Sequence, residues 1–329
     1  MTIRRLAGAT ATLVLLGSFA SATEIVVLVN GNRMDVKSYE IQSQVVIVTT
    51  WEDQVQSFPV AWVDIEATKS VGHQPAVGDG ISPQRLANAR RLLETYGIRS
   101  GVSGLFEQLV VEIRSIKPQV SKPTYDVVRG SFRSAFDADR LFDVVVADFA
   151  SQADDGLLDR WSRWLSLPET AAIVAMETAE LTDTDEMDKS RYLAELYSNP
   201  GAAYRTELVT RIDGALHASQ VGLEIAVALA QSLQSASRFV LPNPPTEQNA
   251  DQLRARFWSS VHKASVDSSL FSYRNASDEE LANYLAFWEG EDGRRIAEIA
   301  MLSIIAGAQY GAEMAVRNVG SAVNATPEN

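Results

Sequence analysis

The spacing of apolar positions changes along the chain from a period of two to a helical period. Between residues 24 and 68, apolar and polar residues alternate in short runs such as EIVVLV, VVIVTT and VQSFPVAWVDI, which is typical of strands. Asn30-Gly31 separates two of these runs, and both residues tolerate the positive φ of a tight hairpin turn. The pattern predicts a small antiparallel β module over 23–68, with three to five strands.

A stretch rich in Gly, Pro and polar residues follows at 69–81, KSVGHQPAVGDGI, and predicts a linker. Beyond it the pattern is helical. Ser82-Pro83 is an N-cap followed by proline at the first helical position, and Gly97 stands where a helix would end. Further helices are expected from Val102 to Ile116 and from about Pro123 to Phe149, the second with a break at Asp137. The fold class is therefore expected to be α+β, mainly α.

The most regular helical stretch spans Ser277 to Val316. Four large apolar residues recur there at i, i+3, i+4 and i+7, which places them on one helix face: Leu281, Tyr284, Leu285 and Trp288. Ser277 and Glu280 have the spacing of a capping box. The run from Glu289 to Gly293 breaks this helix, and a second apolar stripe with small residues in its middle begins at Ile296.

An earlier segment repeats this arrangement. Residues 154–174 align without a gap on 277–297, and both segments have a polar cap, an aromatic pair and a helix break. The alignment pairs Leu158 with Leu281, Trp161 with Tyr284, Trp164 with Phe287, Leu165 with Trp288 and Ile173 with Ile296. Upstream, LLETYGIRSG at 92–101 is similar to LAELYSNPGA at 193–202. We therefore expect a helical bundle of two pseudo-repeats, 82–181 and 182–320, before a flexible tail at 321–329.

The first 22 residues have the pattern of a secretory signal peptide. Arg4 and Arg5 precede an apolar run, and Ala20-Ser21-Ala22 is an A-x-A site, so cleavage is expected after Ala22. The apolar run is shorter than the ~20 residues of a membrane-spanning helix. The chain has 329 residues and no cysteine, which suits a periplasmic protein held together by packing alone. Cleavage would remove two arginines and take the net charge from -13 to -15, which disfavours nucleic acid as a partner.

The residues of the capped helix carry a family resemblance. Ser277-Asp278-Glu279-Glu280-Leu281, then Phe287-Trp288, then Gly293-Arg294-Arg295 resemble the signature of an exported bacterial family, domain of unknown function 2059. Trp288 stands where that family has tyrosine, and Gly290-Glu291 replaces a small residue followed by proline. The earlier segment keeps Pro168 but has Thr170 in place of the glycine. The resemblance implies an all-helical periplasmic domain and brings no catalytic residue or substrate.

Few residues have the spacing of a catalytic or metal site. His73, His217 and His262 are the only histidines, and none belongs to a zinc-binding motif. No G-x-S-x-G, P-loop or G-x-G-x-x-G motif occurs, so neither a cofactor nor a metal is expected. The acidic run at 183–188 begins like a calcium loop but lacks its third ligand and its glycine, and acids at a helix N-terminus explain it better.

Two further patterns bear on binding partners. Trp161, Trp164, Phe287 and Trp288 could stack on sugars, but at helical spacing such aromatics are more often core residues. Residues 216–233 and 296–316 are apolar, yet acidic residues interrupt both, so no membrane span is expected after cleavage. Gly307-x-x-x-Gly311 predicts a close helix–helix contact, within the bundle or in a homodimer.

Two hypotheses of function remain open from the sequence. The first is a non-enzymatic binding or scaffolding protein of the cell envelope, whose partner is an unidentified envelope protein or polymer. Its groove is expected between the two helical copies or between the bundle and the β module. The second is a hydrolase or lytic enzyme that uses carboxylates on cell-wall glycan. A deep cleft with converging acids would favour the enzyme.

Overall fold

The chain divides into two compact units, residues 1–79 and 80–329. The computed structural model describes residues 24–27, 33–36, 38–42, 45–49, 55–59, 63, 65, 68, 81–102, 113–114, 117–180, 186–244, 246 and 248–324. Outside these residues lie the expected signal peptide, residues 325–329 of the expected tail, the Asn30-Gly31 turn, residues 69–80 of the expected linker and residues 183–185 of the acidic run.

The described residues of the first unit form five antiparallel strands: β1 (Glu24–Val27), β2 (Arg33–Val36), β3 (Ser38–Gln42), β4 (Val45–Thr49) and β5 (Val55–Pro59). β1 pairs with β2, and β4 lies between β3 and β5 in a three-stranded sheet. Buried valines on β1, β2 and β4 form a small core with Val63. That these strands form an independent β module stays a prediction.

The described residues of the second unit are mostly helical. Its helices are α1 (Pro83–Thr95), α2 (Lys122–Ala135), α3 (Ala138–Gln152), α4 (Asp155–Leu165), α5 (Pro168–Glu180), α6 (Glu186–Ser198), α7 (Ala203–Leu216), α8 (Ala218–Val240), α9 (Ala250–Ser272), α10 (Asp278–Trp288) and α11 (Glu291–Asn324). Short 3-10 turns occupy 117–119, 200–202 and 273–275. The expectation of a mainly α protein is confirmed.

Short polar side chains set the helix boundaries. Ser82 Oγ accepts from the Arg85 amide at 3.1 Å, and Asp137 accepts from the Arg140 amide at 3.0 Å, which ends α2 and starts α3 where a break was expected. Such caps stabilise a helix by ~1 kcal/mol each. Gly97 has φ of 84°, a left-handed value that glycine adopts without strain. The expected helix from Val102 to Ile116 is described only in part.

Helix α11 is the centre of the bundle. It has 34 residues and packs against α2, α3, α4, α7, α8 and α10. A Cβ on Gly307 would lie 2.8 Å from Val145 Cγ2, and one on Gly311 would lie 3.0 Å from Phe136 Cε1. The glycines therefore let α11 approach α3 closely within one chain. A homodimer through α11 would need another face of this helix, and it stays a prediction.

A polar contact is buried in the same helix pair. Ser303 Oγ donates to Asp148 Oδ2 at 2.7 Å, and Gln152 Nε2 donates to the same oxygen at 2.7 Å. Among the described residues, α11 is also the one helix long and apolar enough to cross a membrane, with a mean hydropathy of 1.4. That is weak evidence for a membrane, because the core helix of a bundle passes the same test.

Candidate functional site

Two helical hairpins of matching design meet in the second unit. The first hairpin is α4 with α5, and the second is α10 with the start of α11. α4 and α10 are each 11 residues long, and two residues separate each from the next helix. Asp154 Oδ1 accepts from the Leu157 amide at 2.8 Å in the first hairpin. Ser277 and Glu280 form the expected capping box in the second, with the Ser277 amide donating to Glu280 Oε2 at 2.7 Å.

Each capped helix turns one face into the core and leaves its cap in solvent. The core residues are Leu158, Trp161 and Leu165 on α4, and Leu281, Tyr284, Leu285 and Trp288 on α10. Trp164 and Phe287 are partly buried, whereas Ser277, Glu280 and Pro168 are exposed. The indole N–H groups of Trp161 and Trp288 are buried with no hydrogen-bond partner in the described part of the chain. Trp161 and Trp288 are therefore core side chains that cannot reach a sugar.

Aromatic rings join the two hairpins. Trp164 stacks on Phe287 with centroids 3.7 Å apart and planes 9° apart, and Tyr96 at the end of α1 touches Trp161 and Trp288. The aromatic seam is defined here as Tyr96, Trp161, Trp164, Tyr284, Phe287 and Trp288. Aromatic pairs of this kind add ~0.5–1.5 kcal/mol each beyond their buried area, so the seam fixes the two hairpins against each other.

The corner between α10 and α11 requires glycine at position 293. A Cβ there would lie 2.1 Å from the Phe287 carbonyl oxygen and 2.7 Å from Trp288 Cα. The aligned position of the first hairpin holds Thr170, which is buried. The first hairpin therefore turns through a corner that admits a side chain, and the second does not.

A carboxylate lies beside the aromatic seam. Glu177 on α5 accepts hydrogen bonds from the hydroxyls of Tyr273 and Tyr284, with Tyr284 Oη 3.0 Å from Oε1 and 3.2 Å from Oε2. Tyr96 Oη lies 3.0 Å from Tyr284 Oη. Glu177 retains some solvent contact, but its described polar partners are phenols, and no basic group forms an ion pair with it within the described ranges.

This environment changes the ionisation of the carboxyl and of the phenols. Burial raises the pKa of Glu177 from 4.5 to about 7, although the hydrogen bonds from Tyr273 and Tyr284 lower it. Burial, followed by the nearby charge of Glu177, raises the pKa of Tyr284 and Tyr96 well above 10. Tyr284 and Tyr96 therefore stay protonated near neutral pH, whereas Glu177 titrates there.

A small cleft opens next to these groups, between the two hairpins. Its volume is about 100 Å³, and it is lined by Trp164, Leu167, Glu169, Thr170, Ile173, Glu280, Asn283 and Tyr284. Leu167, in the turn between α4 and α5, is 42% exposed. The hydrogen bonds from Ser277 lower the pKa of Glu280, the amide contributing most. Glu177 does not line the cleft. Tyr284 lines the cleft and donates a hydrogen bond to Glu177.

A second polar cluster contains serine, histidine and aspartate. Ser219 Oγ donates to Asp213 Oδ2 at 2.7 Å and lies 3.0 Å from His262 Nδ1. In a hydrolase triad the histidine accepts the serine proton and the carboxylate holds the other ring nitrogen. Here the serine lies between the other two, gives its proton to the aspartate and is 2% exposed. This order does not produce an activated nucleophile.

The remaining candidate residues from the sequence are dispersed. His262 stacks on the half-exposed Trp258 on α9, and His217 joins α7 to α8 with φ of 55°. His73 lies outside the described residues. Across the described ranges, no group of three or more His, Asp or Glu side chains could hold a metal ion.

Sequence reasoning missed Glu177 and its tyrosines. Glu177 is one acid in PETAAIVAMETAE, without a motif or a partner nearby in the chain. Its hydroxyl donors are 96 and 107 positions away. The available signal was the tyrosines themselves, because a phenol on the buried face of a helix needs a hydrogen-bond partner.

Comparison with known proteins does not extend this description. No family model matches the chain, and no match was found among curated proteins or among solved structures.

Proposed function

We propose that the chain is an exported, periplasmic protein of the bacterial envelope that binds or scaffolds a partner. The leader-like residues 1–22, the lack of cysteine and the resemblance to domain of unknown function 2059 support this location. The observation that carries the binding function is the cleft between the two hairpins, where aromatic rings, an exposed leucine and carboxylates meet at the surface.

The chemistry of the cleft favours one kind of partner group. A volume of about 100 Å³ is below the ~300 Å³ at which small-molecule sites begin, and it suits a single side chain of a partner protein. Trp164, Tyr284 and Leu167 offer apolar contact, and Glu169 and Glu280 offer negative charge. A lysine or arginine side chain complements both, because its stem is apolar and its end is positive.

We further propose that the helical unit is a duplicated hairpin with an approximate two-fold axis through the aromatic seam. Trp164 and Phe287, which the alignment makes equivalent, stack on each other, as residues on a two-fold axis would. The contacts are also reciprocal, since α5 packs on α10 and α11 packs on α4. If the positions are equivalent, the double exchange Trp164→Phe and Phe287→Trp should recover most of the stability that each single change loses.

The binding proposal is tested by photocrosslinking in intact cells. A photoreactive residue at Leu167 should yield a discrete adduct in the envelope fraction, and Glu169→Lys should abolish that adduct by reversing the charge. Leu302, 45% exposed on α11 and outside the cleft, is the matched control position. Equal adducts from both positions, or none from Leu167, would overturn the proposal.

Glu177 keeps the enzymatic alternative open. A carboxyl with a pKa of about 7 could protonate a glycosidic oxygen as a general acid. Its position behind Tyr284 disfavours this role, because it does not line the cleft. A peptidoglycan zymogram of the wild type and of Glu177→Gln distinguishes the two functions: a lytic band that the substitution removes would establish the enzyme.

A further inference from the structure

Glu177 connects four elements of the helical unit. Its own helix is α5, Tyr284 is on α10, Tyr273 belongs to the 3-10 turn at 273–275, and Tyr96 follows α1. These elements are distant in sequence, with 188 positions between Tyr96 and Tyr284. The carboxyl is therefore a common hydrogen-bonding centre for the packing of α5 against its neighbours.

The ionised carboxylate fixes the direction of every hydrogen bond in this group. A carboxylate can only accept, so Tyr273 and Tyr284 must both donate to Glu177. Tyr284 has then used its one proton, so Tyr96 must donate to Tyr284. The three hydroxyls form an ordered chain in which every proton points toward the carboxylate.

Protonation of Glu177 reverses part of that chain. The new carboxyl O–H needs an acceptor, and Tyr284 Oη lies 3.2 Å from Oε2. Once Tyr284 accepts this proton, its own proton turns toward Tyr96, and the Tyr96 proton turns away from the group. One protonation event therefore changes hydrogen bonds on α5, α10 and the end of α1 together.

We propose that Glu177 and its three tyrosines form a proton-operated switch, which sets how firmly α5 is held against α10 and, through Tyr284, the shape of the cleft. The effect on the cleft rests on the proposed binding function, whereas the effect on the helix contact does not. The seam is held more firmly when Glu177 is neutral, because the charged form is a carboxylate among aromatic rings without a cation.

The charged groups of the surrounding elements bind partners other than Glu177, so they do not set its protonation through an ion pair. In the described part of the chain, charged side chains on α4, α9, α10, the 273–275 turn and the start of α11 have partners other than Glu177: Asp155 with Arg85, Arg160 with Asp292, Lys263 with Asp267, Arg254 with Glu224, Asp278 with Arg205, Glu280 with Ser277, Glu289 with Arg211 and Arg274 with Phe271. On α5 itself, Glu169 lines the cleft. Burial raises the pKa of Glu177 to about 7, so the change falls near neutral pH.

The test follows tryptophan fluorescence of the full chain from pH 5 to pH 9, since three seam residues are tryptophans. Every chain compared, the wild-type reference included, carries Trp258→Phe, which removes the indole stacked on His262. The wild type should show a transition near pH 7, and Glu177→Gln should lack it. Tyr273→Phe removes one donor to the carboxylate and should move the transition upward by about one pH unit. Tyr197→Phe, which removes an exposed hydroxyl bonded to Asp267, should leave it unchanged.

The outcomes separate the switch from the binding function. A wild type without a transition between pH 6 and pH 8, or a transition that survives in Glu177→Gln, overturns the switch. If Glu177→Gln does not fold, an unchanged midpoint in Tyr273→Phe overturns it equally. The yield of the Leu167 crosslink should change several-fold between pH 6 and pH 8 in the wild type only. A crosslink yield that does not depend on pH overturns the effect on the cleft. The absence of a crosslink at either pH overturns the binding function, and the fluorescence result then still decides whether the switch exists.

Discussion

Replacing Gly293 by alanine tests the geometry of the corner between α10 and α11. The added Cβ would lie 2.1 Å from the Phe287 carbonyl oxygen and 2.7 Å from Trp288 Cα. Both neighbours are backbone atoms, so no side-chain rotation relieves the overlap. The Phe287 carbonyl also accepts from the Gly290 amide at 2.9 Å. We expect α11 to move away from α10, which would weaken the packing of Trp288.

The expected loss is large for one methyl group. Overpacked sites cost ~1–3 kcal/mol and sometimes more, and a backbone overlap belongs at the upper end, about 3 kcal/mol. For a unit of roughly 150–250 residues, each kcal/mol lowers Tm by ~2–4 °C. Gly293→Ala should therefore lower Tm by about 6–12 °C, measured by circular dichroism of the helical signal.

The matched control is Gly130→Ala on α2. A Cβ there meets nothing within 4 Å, so alanine keeps only its advantage in helix propensity, ~0.5–1 kcal/mol. Gly130→Ala should raise Tm by about 1–4 °C. The reasoning about the corner is refuted if Gly293→Ala is as stable as the wild type while Gly130→Ala is more stable.

Other substitutions test separate parts of the helical unit by urea unfolding. The pKa of Glu177 is raised from 4.5 to about 7 in the folded chain, so its stabilising contribution is full below pH 4.5 and is lost as the pH rises through 7. Between pH 5 and pH 8 the free energy of unfolding of Glu177→Gln should therefore rise by about 2 kcal/mol relative to that of the wild type. The same dependence of stability on pH in both proteins would contradict this. Arg205 is mostly buried and hydrogen-bonds both the 273–275 turn and α10, so Arg205→Ala should cost about 2 kcal/mol or more. Arg211→Ala, at an exposed ion pair, should cost less than ~1 kcal/mol, and similar losses in the two variants would contradict a structural role for the Arg205 hydrogen bonds. His217 has φ of 55°, so His217→Gly should stabilise the fold by about 1 kcal/mol, and a loss would show that the side chain has another role.

Local signals in the sequence predicted local structure well. The capping box of Ser277 and Glu280 and the break at Asp137 are both present, because a cap depends on residues within one helical turn. Tyr284 and Trp288 are both buried, since their spacing alone defines the inner face of α10. The mainly helical fold follows from the same signals.

The candidate site could not be predicted because its parts come from distant segments. Glu177 and Tyr284 are 107 positions apart, and Glu177 belongs to no recognisable motif. The close approach at Gly293 is a property of the backbone, so the sequence indicated a helix break without showing why glycine is needed. The cluster at Ser219 shows that residue types alone are also insufficient. Serine, histidine and aspartate meet there, but Ser219 lies between the other two and donates to Asp213, so it is not activated as a nucleophile.

The central position of α11 has a consequence for how the protein is made. Ser303 bonds to Asp148 across 155 positions of sequence, so the apolar faces of α2 and α3 emerge from the ribosome long before the helix that covers them. Contacts between residues this far apart in sequence form slowly, and apolar surface stays exposed until they form. If the chain is exported as proposed, late closure would keep it loose enough to thread through a translocation channel, and a holding chaperone would have a clear surface to protect.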